Sequence, residues 1–282
     1  MGHFFQSYYF DLDKTLYIFT SGRYEYRNKG YDLTLEALAR LNWRMKQANV
    51  DKTVVMFFIT KKPFQSINPN VLQSKASLDK MYQTTEAIQK QLGERLIQHI
   101  MQSEDQAFPD LNEFDDDKDD ILNFLRSSNL CNYKEDKVKI VYHPDFVNSV
   151  SPLFGIDYPD FVRGTHLGIF PSYYEPWGYT PLECMVSGVA AITSDLSGFG
   201  DYFLKANPAS EDDGIAVIRR RNRSYDEAAN QLADAMFAFV QSERSSRISQ
   251  RYSLQRSAEQ FDWKHLTSYY EKAYDLVLER TS

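Results

Sequence analysis

The sequence predicts an α/β domain built on a doubly wound parallel sheet. Three observations carry that expectation: six short apolar runs, amphipathic helix patterns between them, and an all-helical stretch after the last run. In order, the runs are Leu16–Thr20, Thr53–Ile59, Val138–Tyr142, Leu167–Phe170, Val189–Thr193 and Gly214–Ile218. Several are apolar on both faces, as strands covered by helices on both sides must be. Leu35, Leu38, Leu41 and Met45 mark one helical stripe after the first run, and a helical insertion is expected near 71–130, its long segment from about Val71 to Met101. A C-terminal helical segment near 224–282 divides into Ser224–Gln241, Arg244–Gln260 and Trp263–Leu278, with breaks at Gln241–Ser242 and Phe261–Asp262. One domain over 1–282 is the expected organisation, at the upper edge of what a single core holds.

Composition narrows the function. With 43% hydrophobic residues the chain can bury a core, and a net charge of −7 argues against general nucleic-acid binding, which needs a basic surface to release counterions. No run of about 18 apolar residues is present and the first residues lack a charged-then-apolar leader pattern, so no membrane span or secretion is expected and the cytoplasm is the default location. Cys131 and Cys184 lack metal-ligand spacing and read as reduced core thiols. The acidic run Glu113–Asp120 reads as a solvated turn or helix start.

The most informative segment is Pro171–Gly188. It sets Glu175 in a loop rich in aromatics and glycine, and Glu183 eight positions later at the start of a helix. Thr180 is the expected N-cap, Pro181 the first helical residue, and Glu183 the end of a Thr-x-x-Glu capping box. The backbone N–H groups of Gly178, Tyr179 and Thr180 would then sit at a positive helix end. Such an end attracts phosphate by roughly 0.3–1 kcal/mol when exposed and up to ~2 kcal/mol when partly buried. Together these groups describe a pocket for a sugar joined to a phosphate.

On these residues the chain resembles a known family. Glu175 and Glu183 form the Glu-x7-Glu motif of retaining glycosyltransferases with two Rossmann-like domains, and the wording around them is similar to that of glycogen synthases of the animal and fungal type. Gly22–Gly30 (Gly-Arg-Tyr-Glu-Tyr-Arg-Asn-Lys-Gly) and Leu196–Gly200 match two further blocks, in the same order. The resemblance covers about Gly2 to Arg280 but only the second half of such enzymes, whose first Rossmann-like domain is missing here.

The resemblance implies UDP-glucose as donor, the 4-hydroxyl of an α-1,4-glucan as acceptor, and no metal or other cofactor. It implies Arg23 and Lys29 on the donor diphosphate, Glu175 beside the glucose, Glu183 on the ribose, Tyr158 stacked on the uracil, and Trp177, Gly178, Tyr179 and Thr180 around the donor. Arg23 and Lys29 also read as surface ion pairs with Glu25 or Asp32, Glu183 as a capping residue, and Tyr158 as packing. Arg244, Arg247 and Arg251 share a helix face and read either as an allosteric anion site or as a solvated basic helix. A homo-oligomer of a full-length enzyme remains open.

Two other classes are weighed. Asp11-Leu-Asp13-Lys-Thr15 spells the Asp-x-Asp-x-Thr nucleophile motif of haloacid-dehalogenase-type phosphatases, but the apolar run follows the motif instead of preceding it. A catalytically silent module that holds nucleotide sugar or glucan is the other reading, because the acceptor side of such a site would lie in the missing domain.

Overall fold

Six parallel strands in the order β3-β2-β1-β4-β5-β6 form the centre of the computed structural model, which describes residues 4–5, 11–63, 72–73, 75–77, 119–206 and 214–281. The strands are β1 (Thr15–Arg23), β2 (Thr53–Lys61), β3 (Val138–His143), β4 (Leu167–Phe170), β5 (Ala190–Ser194) and β6 (Ile215–Ile218). All six expected runs are strands. β1 extends three residues beyond the predicted end, so Arg23 closes the strand instead of following it.

The helices are α1 (Tyr31–Gln47), α2 (Asp120–Ser127), α3 (Tyr158–Arg163), α4 (Tyr179–Val186), α5 (Gly198–Ala206), α6 (Tyr225–Gln241), α7 (Arg244–Ala258) and α8 (Trp263–Thr281). The stripe Leu35, Leu38, Leu41 and Met45 is completely buried on α1, which packs against α2 and α6. α4 packs against β4, β5 and α7. Right-handed crossovers send helices to opposite faces once the strand order reverses between β1 and β4, so the sheet is covered on both sides. α6 begins with a capping box between Ser224 and Glu227. Residues 72–73 and 75–77 are helical; the rest of the Val71–Met101 helix falls outside the described residues. None of the described helices is long and apolar enough to cross a membrane. Cys184 is buried, whereas Cys131 is only half-buried.

The acidic run departs from expectation at its one described pair. Asp119 starts α2 as its N-cap, as a helix start should, but it is buried, not solvated. Its carboxylate accepts hydrogen bonds from the Ile121 and Leu122 N–H groups (2.9 and 3.3 Å), from Tyr142 Oη (2.7 Å), from Tyr24 Oη (3.1 Å) and from Lys62 Nζ (2.9 Å). A carboxylate this dry is tolerated because every lone pair meets a donor. The hub ties β3, the end of β2 and the loop after β1 to one helix start. Asp119→Ala is expected to remove about 3 kcal/mol of unfolding free energy, since it deletes a cap and breaks a mostly buried ion pair; urea denaturation measures it.

Candidate functional site

The site forms where the strand order reverses, the position at which open α/β sheets bind ligands. β1 is bonded to β2 along all nine residues, up to Arg23 beside Lys61. To β4 it is paired only at Ile18–Leu167 and Phe19–Gly168. Beyond those pairs the two strands part, and a cleft of about 180 Å³ opens between Thr20, Ser21 and Gly22 on one side and Phe170 and Ser172 on the other. Lys29, Glu175, Tyr179 and Thr180 complete its wall.

Two loops meet above the cleft. One follows β1 and ends at Gly30, the N-cap of α1, in the left-handed region at φ 69°. Glycine is required there twice over: a side chain would be strained at that φ, and its Cβ would lie 2.3 Å from the carbonyl oxygen of Pro171 in the second loop. The loops are also joined by the Tyr173 N–H, which donates to the Asn28 carbonyl at 2.7 Å. This seam sets Lys29 Nζ against Glu175 Oε2 in an ion pair, both side chains largely shielded from solvent. Lys29 therefore pairs with the carboxylate it was expected to work beside, and not with Asp32. Arg23 stands at the rim, 79% exposed, with Nε 3.3 Å from Glu25, as the ion-pair reading has it.

The Leu196–Gly200 block, one of those that carry the family resemblance, braces the acidic loop from below. Glu175 forms an isolated parallel bridge with Ser197. Its carbonyl accepts from Gly198 N–H at 3.0 Å, and the Trp177 carbonyl accepts from Phe199 N–H at 2.7 Å. Trp177 turns away from the cleft into a cluster with Phe199, Tyr202 and Phe261. Its role in this structure is to hold the loop down.

The helix after the loop starts earlier than the local signal suggests. Gly178, at φ 110°, is the N-cap of α4, and Thr180 is already inside the helix. The Thr180–Glu183 capping box therefore does not form. Its physical reason is Gly178 itself: the left-handed turn it makes begins the helix before Thr180 can cap it. The consequence for the site is that Tyr179 and Thr180, both lining the cleft, now belong to the first turn, whose N–H groups have no partner within the helix.

Glu183 loses its structural reason with the capping box, and its carboxylate has no hydrogen-bond partner among the described residues. The side chain is exposed, yet surrounding protein strips enough hydration to push its carboxyl above the usual carboxylate range. Tyr158, the first residue of α3, is half-buried, with its hydroxyl 2.7 Å from Ser21 Oγ. Burial raises its phenol well above the ordinary value.

Arg244, Arg247 and Arg251 lie on α7 at the opposite edge of the sheet, and each finds a different acceptor. Arg244 meets Asp13 at 3.1 Å, Arg247 donates to the Ser242 carbonyl at 2.5 Å, and Arg251 donates to the Arg163 carbonyl at 3.0 Å. Nearby His166 accepts the Tyr17 N–H on Nδ1 (3.0 Å); burial, then the charges of Arg247 and Arg251, push it down to about 4 and keep it neutral. The Asp11–Thr15 motif occupies this edge too, at the start of β1. A phosphatase nucleophile belongs at a strand's carboxyl end, so the phosphatase reading is set aside.

The sequence matches the family model described as glycogen synthase over residues 1–114 and 111–282. It is 41% identical over 310 residues to the glycogen [starch] synthase of Neurospora crassa, an alignment covering 99% of this chain and 44% of that protein. To the human liver glycogen [starch] synthase it is 38% identical over 311 residues, with the same two coverages. The chain thus spans less than half the length of the curated relatives it matches. Among solved structures, a UDP-forming α,α-trehalose-phosphate synthase from Burkholderia xenovorans superimposes with a TM-score of 0.52 over 92% of this chain and 44% of that one. An E. coli trehalose-6-phosphate structure bound with UDP-2-fluoro glucose gives 0.51, over 93% and 44%. At 11% identity each, these two likenesses are of fold alone.

The state of Glu183 is open to measurement. Its raised carboxyl means that ionisation is harder in the folded chain than in the unfolded one. Above the unfolded value the charge therefore works against folding; below about pH 4 both states hold the proton. Glu183→Gln is expected to raise the melting temperature at pH 7 and to leave it unchanged at pH 3.5, as read by scanning calorimetry.

Proposed function

The chain belongs to the glycogen synthase family, and from that premise we propose that it is the donor-binding half of a retaining glucosyltransferase that uses UDP-glucose to extend an α-1,4-glucan at a 4-hydroxyl. One observation carries the reading. Lys29, Glu175 and the first turn of α4 converge on a single cleft at the carboxyl ends of β1 and β4.

The chemistry follows from where the charge goes. Breaking the bond between the anomeric carbon and the diphosphate leaves negative charge on UDP, and preorganised cations are the largest source of help for such a leaving group. Lys29 supplies a compact charge inside the cleft. Arg23 supplies a planar fork at its rim, free to swing because its pairing with Glu25 is exposed and therefore weak. The N–H groups of Tyr179 and Thr180 add the helix end. When a phosphate takes Lys29, Glu175 is released from its ion pair and turns to the hydroxyls of the hexose and to the positive charge that develops at C1. Glu183, kept without a partner near the same helix end, is the acceptor proposed for the ribose hydroxyls. Tyr158, held by Ser21 beside the cleft, is the platform proposed for the base.

The acceptor glucan is assigned to the part of such enzymes that this chain does not span, and so is the second wall that would shut out water. The isolated chain is accordingly expected to bind donor and not to elongate glucan. Isothermal titration calorimetry with UDP and with ADP tests the reading on the wild type and on the Arg23→Ala, Lys29→Ala double variant. UDP should bind the wild type in preference to ADP. The double variant should lose ~100-fold or more, since each charge-assisted contact contributes about 1.5–3 kcal/mol. Equal affinity of the two proteins, or no binding by either, rejects the donor site.

A further inference from the structure

The run Arg219-Arg220-Arg221-Asn222-Arg223 follows β6 at the ligand edge of the sheet, yet its arginines do different things. Arg221 reaches the Asp195 carbonyl and Arg223 pairs with Glu227. Arg220 alone turns inward. Its Nη1 donates to the Pro171 carbonyl at 2.5 Å, and its guanidinium lies 5.3 Å from the centre of the Tyr173 ring. Its backbone N–H is fixed on Asp195 Oδ1 at 2.8 Å. The Pro171 oxygen is thus held between Gly30 and Arg220, at the root of the loop that carries Glu175.

We infer that Arg220 is a positioning residue for the donor hexose: it clamps the Pro171–Tyr173 end of the acidic loop so that Glu175 keeps its place once Lys29 has turned to phosphate. The inference rests on the donor-site reading above. Glu175 is tethered by its ion pair with Lys29 as well as by the loop. Donor binding removes the first tether. What remains is the seam at Tyr173 N–H, the bridge to Ser197, and the Arg220 clamp, whose guanidinium is not among the groups that line the cleft. A partly buried guanidinium suits this task, since it stays charged while satisfying a carbonyl and covering an aromatic face.

The test compares wild type, Arg220→Ala and Arg220→Lys in two measurements. The first is hydrogen exchange of the Tyr173 amide without ligand, expected to speed up at least tenfold in Arg220→Ala while the Leu38 amide in α1 is unchanged. The second is calorimetric affinity for UDP and for UDP-glucose. In Arg220→Ala the ratio should shift at least fivefold against UDP-glucose, with UDP itself held within twofold; Arg220→Lys should restore most of both effects. A purely structural role would instead weaken UDP and UDP-glucose in parallel, and that result, or an unchanged Tyr173 amide, overturns the inference. Should Arg220→Ala fail to fold, Tyr173→Leu at an exposed position replaces it, with a threefold shift against UDP-glucose expected and an unshifted ratio counting as refutation. Wild-type chain that binds neither nucleotide rejects the donor site itself, while the exchange measurement still decides whether the clamp exists.

Discussion

Everything at the ligand edge depends on how little β1 and β4 pair. A nine-residue strand is bonded to one neighbour along its whole length and to the other at only two positions. The carboxyl-terminal third of β1 therefore has a covered side and an open side. Backbone groups left without a ladder partner must find water or a ligand, and here they face a cleft. The short partner is short for a local reason: β4 ends at Phe170, just before Pro171, which has no N–H to extend the ladder. From that one mismatch follow the crevice, the two loops above it, and the meeting of residues 146 apart in sequence.

Within the crevice the balance is electrostatic. A lysine and a carboxylate brought this far out of water lose much of their hydration, and their mutual attraction offsets that loss only in close contact. The ion pair of Lys29 with Glu175 solves that problem by close contact. Under the proposed function a diphosphate, with its two charges, would outcompete one carboxylate for the lysine, and ligand entry and release of Glu175 would be a single exchange. Glu183 is in the opposite condition, carrying a charge that no described neighbour balances.

How much of this could be read beforehand divides along sequence distance. The six strands and the α1 stripe were legible because period and run length are local properties. Lys29 and Glu175, which meet in the cleft, each sit in a motif that is local too. The α4 start was misread because Thr180-Pro181 is a good cap by local rules, and only the backbone shows that Gly178 turns first. Asp119 looked like one more solvated acid, since Lys62, Tyr24 and Tyr142 stand 23 to 95 residues away and nothing in the pattern brings them together. Arg220 was hidden in a basic run for the same reason. Arg244, Arg247 and Arg251 share a face as their spacing requires, and the acceptor each guanidinium meets within the chain was not legible from that spacing.

Under the proposed function, one half of a transferase would hold its donor and still catalyse poorly, for an electrostatic reason. Two charges 4 Å apart interact by about 1 kcal/mol in bulk water and by about 4 kcal/mol at the effective dielectric of a protein surface that excludes part of it. Arg23, at 79% exposure, works near the first limit. Lys29, at 17%, works nearer the second. A wall laid over the rim would move Arg23 toward Lys29's condition and strengthen every contact to the leaving diphosphate without altering a residue on this side. The same wall would give the released Glu175 carboxylate a dry environment in which to meet charge at the anomeric carbon. Relatives about twice as long as this chain have the material for such a wall. The electrostatics of the cleft set out what it must do, which is to exclude water from the Arg23 side while leaving the seam between Gly30 and Pro171 undisturbed.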